Sequence, residues 1–326
     1  MPKSSLKNMN KLSEISKIIK QSKTFFIAGH VKPDGDSLGS ACALAKMLQR
    51  MGKKAEVYCA DDIPQNLSCI KGIAKVKKEK PENVQFDCAI LLESLDFQRM
   101  GDIINPSQAK KIINIDHHRI NSNFGDVNYV IADSSSVCEL VLNIFEYMKI
   151  KPSKDEAYNL YVGLLTDSGK FQNSNVTANS HIAAAKLIEL GAPIIEISRK
   201  IYSNETIQSL RILSMALLGL KTMFDQKLVY MTITKKMLND AEAKDEDTGG
   251  IVSYPLRLRQ TKVSCLLKEE GKNSTKLSMR SVKEFNLLPI VKKLGGGGHK
   301  NAAGATINKS IKESRDLLKK IFKELK

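Results

Sequence analysis

Residues 24–37 read TFFIAGHVKPDGDS, and this stretch decides the fold. TFFIAGH (24–30) is a short apolar run of the kind that forms a buried strand. A helical pattern follows from Ser37 to Met51, with Leu38, Ala41, Ala45 and Leu48 recurring at helical spacing and Gly52 placed to stop it. Pro33 and Gly35 suit a tight turn between the two. A strand, a turn and a helix make the opening unit of an α/β sheet, and in open α/β sheets ligands bind outside the carboxyl ends of the strands. His30, Asp34 and Asp36 are expected at such an end.

Three more candidate strands lie downstream, AEVYCA (55–60), FDCAILLE (86–93) and KIINID (111–116). Helical segments follow at 135–148 and 153–165, the second with a capping box formed by Ser153 and Glu156. Strands alternating with helices predict an α/β fold built on a mainly parallel sheet with helices on both faces. Residues 177–223 look helical, broken by Gly191-Ala192-Pro193, and suit a connector. The pattern then changes. KLVYMTI (227–233), KVSCLLKE (262–269) and KLSMRS (276–281) read as strands, the last two joined by a turn at Gly271-Lys272-Asn273. A glycine run at 295–298 and an amphipathic helix at 311–325 complete a smaller second α/β unit. The expected division is 1–190 for a catalytic metal-binding domain, 191–222 for a helical linker and 223–326 for a substrate-binding domain, with the active site in the cleft between the two domains.

The acidic and imidazole side chains cluster at the ends of apolar runs. GHVKPDGDS carries His30, Asp34 and Asp36; FDCAILLES ends its run on Glu93; KIINIDHH ends on Asp116-His117-His118; and YVGLLTDS ends on Asp167. Read as four strand ends, these positions bring metal-type ligands to one edge of the sheet. The chain has 5 histidines. His30, His117 and His118 fall at these ends, His299 follows the glycine run, and only His181 is left as ordinary surface or core. Mixed imidazole and carboxylate ligands suit manganese, zinc or ferrous iron better than calcium, which prefers oxygen alone. Six ligands are too many for one catalytic ion that keeps open positions. Two ions roughly 3.5–4 Å apart fit better, since such a pair can clamp the attacking and leaving oxygens of an in-line displacement and acidify the attacking water. That is the chemistry of phosphate-ester hydrolysis.

The net charge of +16 attracts polyanions, although lysines spread along the chain equally describe a solvated surface. With no Trp and 6% aromatic residues, stacking on many bases is not advertised. Six scattered cysteines without a CxxC pair read as buried reduced thiols. No apolar run reaches the length of a membrane span, and the basic N-terminus lacks the apolar stretch of a signal peptide. A cytoplasmic location without membrane association is expected.

The motifs GHVKPDGDS, LLESLDFQRMG, NIDHH and GLLTDSGKF resemble, in order and spacing, the four motifs of the DHH phosphoesterase family. LGGGGHKNAAGA is similar to the signature of the DHH-associated C-terminal domain. Within the family the chain most resembles the nano-RNase and pAp-phosphatase branch, and its length leaves no room for the extra nucleic-acid-binding domains of RecJ-type exonucleases. The resemblance implies a cytoplasmic hydrolase with two divalent ions per chain, manganese first, with magnesium or another divalent ion as alternatives. One ion would sit on His30, Asp34 and Glu93, the other on Asp36, Glu93, His117 and Asp167. Asp116 would support a ligand and His118 would face the substrate phosphate, so both are placed in the catalytic group. The family usually has Asp where Glu93 stands, and Asp96 is the other candidate.

Arg99, Arg280, Gly296, Gly297, Gly298 and His299 are the expected substrate contacts. The bare N–H groups of the glycine run would cradle a phosphate or carboxylate; a flexible loop is the plain alternative. Arg257 and Arg259 read as a solvated helix face. The expected substrates are short oligoribonucleotides cleaved to 5′-mononucleotides and 3′-phosphoadenosine 5′-phosphate (pAp) converted to AMP. A cyclic or linear dinucleotide phosphodiesterase is the alternative enzyme. An inorganic pyrophosphatase shares the metal motifs but not the GGGGH signature. A metal-impaired nucleotide-binding module is the non-enzyme alternative. The resemblance also suggests a homodimer.

Overall fold

The apolar run of the opening motif is strand β1, Thr24–Ala28, buried from its second residue onward. The structure, a computed structural model, describes residues 3–203 and 205–323, so residues 324 and 325 of the expected last helix lie outside the described residues. Helix α1 (Lys3–Gln21) precedes β1. Helix α2 (Gly35–Arg50) follows it, and Gly52 just beyond has a positive φ of 74°. The alternation continues through β2 (Lys54–Tyr58), β3 (Cys88–Leu92), β4 (Ile112–Asp116) and β5 (Val127–Val130). Helices α3 (Val137–Tyr147), α4 (Lys154–Asp167), α5 (Ala178–Glu189) and α6 (Ile194–Tyr202) come next. The capping box of Ser153 and Glu156 opens α4.

These strands form one fully parallel sheet in the order β2-β1-β3-β4-β5. β3 is apolar and buried along its whole length, as a strand covered on both faces must be. On one face Phe25, Ile27, Ile90 and Ile115 pack with residues of α1 to α4. On the other, Phe26, Ala28, Tyr58 and Leu91 are covered by Met100, Ile103 and Ile104, on and just after the 3₁₀ turn Phe97–Met100. There the Phe26 and Tyr58 rings stack at 4.5 Å. Two elements of this unit had no counterpart in the sequence reading. In α1, Leu12, Ile15 and Ile19 recur at helical spacing but are diluted by lysines; β5 is only 4 residues long.

The chain divides into two compact units, Met1–Asn204 and Glu205–Lys326. The segment read as a connector is shared between them. Ile197 and Ile201 of α6 are buried in the first core, whereas Ile212 and Ala216 of α7 (Ile207–Leu218) are buried in the second. The second unit continues with β6 (Lys221–Met223), β7 (Leu228–Ile233), α8 (Lys235–Asp240), β8 (Val263–Gly271), β9 (Ser274–Ser281), α9 (Leu288–Lys293), β10 (Gly297–His299), β11 (Ala302–Ile307) and α10 (Ile311–Lys323). Its sheet runs β10-β11-β9-β8-β7-β6 and is antiparallel except between β7 and β8. The glycine run is therefore no flexible loop. Gly297 pairs with Gly304 and His299 with Ala302, while Gly298 takes φ 140° with its α-carbon against the Ala302 carbonyl, where a Cβ would lie 2.5 Å from that oxygen.

Candidate active site

His30 lies two residues beyond β1. Its Nδ1 is 2.6 Å from the Val31 carbonyl oxygen, which only accepts, so Nδ1 carries a proton and Nε2 is the ring nitrogen turned toward the carboxylates. That Nε2 lies 3.7 Å from Asp34 Oδ2 and 3.6 Å from Glu93 Oε2. Asp34 has two tasks. Its Oδ1 accepts from the Asp36 and Ser37 amides, each at 3.0 Å, as the N-cap of α2, and its Oδ2 is left for His30. Asp36 is fully buried, and its oxygens accept from the Val137 amide at 2.6 Å and the Cys138 amide at 2.9 Å. The free N–H groups at the start of α3 thus hold this carboxylate in place.

Glu93, one residue past β3, is buried and takes a left-handed backbone with φ 55°. A non-glycine residue in that region carries strain, and such strain collects at functional sites. Its buried Oε2 makes no hydrogen bond. Asp96, the rival candidate, instead caps the 3₁₀ turn, its Oδ1 accepting from the Arg99 amide at 3.0 Å.

Asp116 closes β4 and is fully buried. Its Oδ1 accepts from the His117 amide at 2.8 Å, the His118 amide at 3.2 Å and His118 Nδ1 at 2.8 Å. Its Oδ2 accepts from Asn121 Nδ2 at 2.5 Å. His117 Nδ1 faces the Ser134 carbonyl at 3.1 Å, which again turns Nε2 toward a carboxylate, 3.5 Å from Asp167 Oδ2. Asp167 corrects the expectation of four strand ends: it is the last residue of helix α4. The apolar run YVGLL fits a buried helix as well as a strand, and its length beyond the run decides for helix. The candidate ligands come from just past β1 and β3, from the end of β4, from the N-terminus of α2 and from the C-terminus of α4.

The residues fall into three groups, each with ligand atoms within 4.8 Å of one another: His30, Asp34 and Glu93; Asp36, His117 and Asp167; and Glu93, His117 and His118. Glu93 and His117 each belong to two of them. The electrostatics match. Burial first, then the Asp36 charge, pushes Glu93 well above the ordinary carboxylate range, and burial likewise raises Asp36. Burial and the Asp36 charge lift Asp167 to about 7. Burial alone would depress His30, but the Asp34 and Glu93 carboxylates outweigh it and take it to about 11. Burial would raise Asp34, yet His30 and the backbone amides hold it at about 2. The hydrogen bond to Asp116, against an opposing burial cost, raises His118. Crowded carboxylates, an unpartnered Glu93 oxygen and imidazoles that turn Nε2 toward them form a donor set that fits divalent cations, which would displace the protons these groups share.

Of the expected substrate contacts, Arg99 is exposed on the 3₁₀ turn, and its carbonyl accepts from the Val31 amide at 2.8 Å, joining that turn to the His30 loop. Arg280 on β9 and His299 on β10 both pair in register with Ala302 of β11, and Arg280 Nη1 donates to the Met279 carbonyl at 2.9 Å. Gly296 precedes the hairpin, and Gly297 and Gly298 lie in β10. His181 stacks on Phe171 with centroids 5.1 Å apart. Arg257 sits at the end of a 3₁₀ helix over the Tyr254 ring. The sequence reading missed Asn121, which holds Asp116, and Asn175, whose Nδ2 lies 3.3 Å from Asp167 Oδ2.

The N-terminal domain of the DHH family matches residues 24–164 and the DHHA1 domain matches residues 225–326. The bifunctional oligoribonuclease and PAP phosphatase NrnA of Thermus thermophilus is 29% identical over 286 residues, covering 86% of this chain and 83% of that protein. The protein of the same name from Mycoplasma pneumoniae is 26% identical, covering 89% and 88%. A crystal structure of an exopolyphosphatase-related protein from Bacteroides fragilis superposes with a TM-score of 0.84 at 24% identity, covering 97% of this chain and 96% of that one, and so shares the fold. The chain belongs to the DHH family of phosphoester hydrolases and carries a DHHA1 domain behind its DHH domain.

Proposed function

We propose that this chain hydrolyses short oligoribonucleotides to 5′-mononucleotides and pAp to AMP, with two divalent ions, manganese foremost. The observation that carries the reading is the sharing of Glu93 and His117 between overlapping ligand groups, which suits paired ions better than one. The NrnA-named relatives, aligned over most of both chains, supply the substrate class.

In this reading His30, Asp34 and Glu93 hold one ion, and Asp36, Glu93, His117 and Asp167 hold the other. When bound, the ions polarise the scissile phosphoryl group and acidify the attacking water. The chain's own groups do the rest. The Val31 and Ser134 carbonyls fix the tautomers of His30 and His117 so that Nε2 is the ligating atom. The α3 amides keep Asp36 from turning away. Asp116 holds Nδ1 of His118 and raises the imidazole pKa, which favours the protonated ring that donates from Nε2 to a phosphoryl or leaving-group oxygen. Arg99, Arg280 and the Gly296–His299 segment engage the remaining phosphate and nucleotide of the substrate. His299 is exposed at the end of β10, where it is open to such a ligand.

Turnover of pAp, a 2–5-nucleotide RNA, a cyclic dinucleotide and pyrophosphate, each with Mn²⁺, tests the proposal. Hydrolysis of pAp and short RNA, lost in Asp116→Ala, is expected. Preferential cleavage of the cyclic dinucleotide or of pyrophosphate, or equal rates for Asp116→Ala and the parent on every substrate, would overturn it.

A further inference from the structure

We infer that Asn121 is a positioning residue: its side-chain amide fixes the Asp116 carboxylate in the orientation that holds His118, and ties together the loops that follow β3 and β4. The inference rests on the proposed hydrolytic role of His118, and its geometry stands independently of the substrate.

Asp116 Oδ1 already has three donors, from the His117 amide, the His118 amide and His118 Nδ1. Asn121 Nδ2 donates to Oδ2 at 2.5 Å. The same Nδ2 donates to the Ser94 carbonyl at 3.0 Å, next to Glu93. The amide cannot be turned around: Asn121 Oδ1 accepts from the Asn123 amide at 2.7 Å, while Nδ2 faces two pure acceptors. Ser122 reinforces the join, its amide and its hydroxyl donating to the Leu95 carbonyl at 2.9 and 3.0 Å. The loop bearing Glu93 and the loop bearing Asp116-His117-His118 are therefore clamped by one short polar segment.

The consequence follows from satisfaction of buried acceptors. Asp116 is fully buried, so removing Asn121 leaves Oδ2 without its protein donor, and the carboxylate regains its freedom to rotate away from His118 Nδ1. An aspartate at this position keeps the shape of Asn121 but presents an acceptor to the Asp116 carboxylate and to the Ser94 carbonyl. A residue that merely filled space would tolerate it.

The test compares the parent with Asn121→Ala and Asn121→Asp. The Mn²⁺-supported kcat on pAp is expected to fall about 10–100-fold in Asn121→Ala, with KM changed less than about 3-fold. The loss should be at least as large in the isosteric Asn121→Asp. Proton NMR of the imidazole N–H region should show a slowly exchanging His118 Nδ1–H in the parent, assigned by its loss in His118→Ala, that disappears or shifts in both variants. Circular dichroism confirms that each is folded, and the isosteric variant serves if Asn121→Ala does not fold. Parent kcat in both variants, full tolerance of Asn121→Asp, or an unchanged His118 resonance would overturn the inference. A parent inactive on both pAp and RNA would count against the proposed substrates, and the resonance would then decide the role of Asn121.

Discussion

Glu93 separates the two ways of reading the second motif. Its side chain lies within reach of His30 and Asp34 on one side and of His117 and His118 on the other and leaves one buried oxygen without a hydrogen bond, whereas the Asp96 carboxylate is occupied in capping a turn. Glu93→Asp should shorten that reach and weaken Mn²⁺ affinity by about 10-fold or more, and Asp96→Ala should keep both affinity and turnover within about 3-fold. Calorimetric titration of Mn²⁺ with parallel kinetics checks both; the reverse pattern would reassign the ligand. The clustering of the candidate ligands was legible because histidine is scarce here and acidic residues followed apolar runs. Their supports were not. The Val31 and Ser134 carbonyls that set the imidazole tautomers are backbone groups, which every residue possesses. Asn121 and Asn175 sit in polar stretches where asparagine is ordinary turn chemistry.

At the scale of elements, the site depends on how closely α2 and α4 approach. Gly39 and Gly163 face this crossing: a Cβ on Gly39 would lie 2.5 Å from the Asn159 carbonyl, and one on Gly163 would lie 2.2 Å from Cys138 Sγ and 2.9 Å from Asp36 Oδ1. Gly163→Ala should cost about 1–3 kcal/mol of stability by overpacking and lower Mn²⁺ affinity through Asp36, with Cys138→Ala in the same chain restoring part of both. Urea unfolding and titration of the single and double variants check this; an unaltered Gly163→Ala protein would contradict the packing. A second device pins the start of β1. Asp87 accepts from Lys110 at 2.8 Å, from the Lys23 amide at 2.9 Å and from the Thr24 amide at 3.1 Å. The Lys110 ammonium first, then these amides, hold its carboxyl well below the usual range. A folded-state pKa below the unfolded one adds stability above the unfolded value, about 3.9, that is lost as pH falls toward the folded one. The urea midpoint of Asp87→Asn should therefore trail the parent at pH 6, and the gap should begin to close only below about pH 4 and go on closing as pH falls further; a constant gap would contradict the assignment. Sequence periodicity placed most of these elements, since β3 is an unbroken apolar run, β1 is apolar after Thr24 and β4 is interrupted only by Asn114 before it closes on Asp116. It missed the β10–β11 hairpin, whose glycines and alanines carry no strand signal and are held by register with β9. It also gave Asp167 a strand end, because a buried helix and a buried strand are alike in a short apolar window.

At the scale of the whole chain, two units with separate cores were foreshadowed by the change from alternating strands and helices to strands clustered near the end. All six cysteines are unpaired, and five are buried. Among the described residues no helix is long and apolar enough to cross a membrane. The +16 charge remained ambiguous in the sequence because lysines are spread throughout, and many are spent on local ion pairs such as Lys77 with Glu56 and Lys268 with Asp245. The candidate site lies in the first unit, where four carboxylates and three imidazoles offer the donor set of a divalent-cation centre. Anomalous diffraction at the manganese edge, from crystals of the full chain grown with Mn²⁺, tests that claim most directly. Two peaks are predicted, one among His30, Asp34 and Glu93 and one among Asp36, His117 and Asp167, with Glu93 between them. A single peak, or manganese bound away from Glu93, would contradict the account.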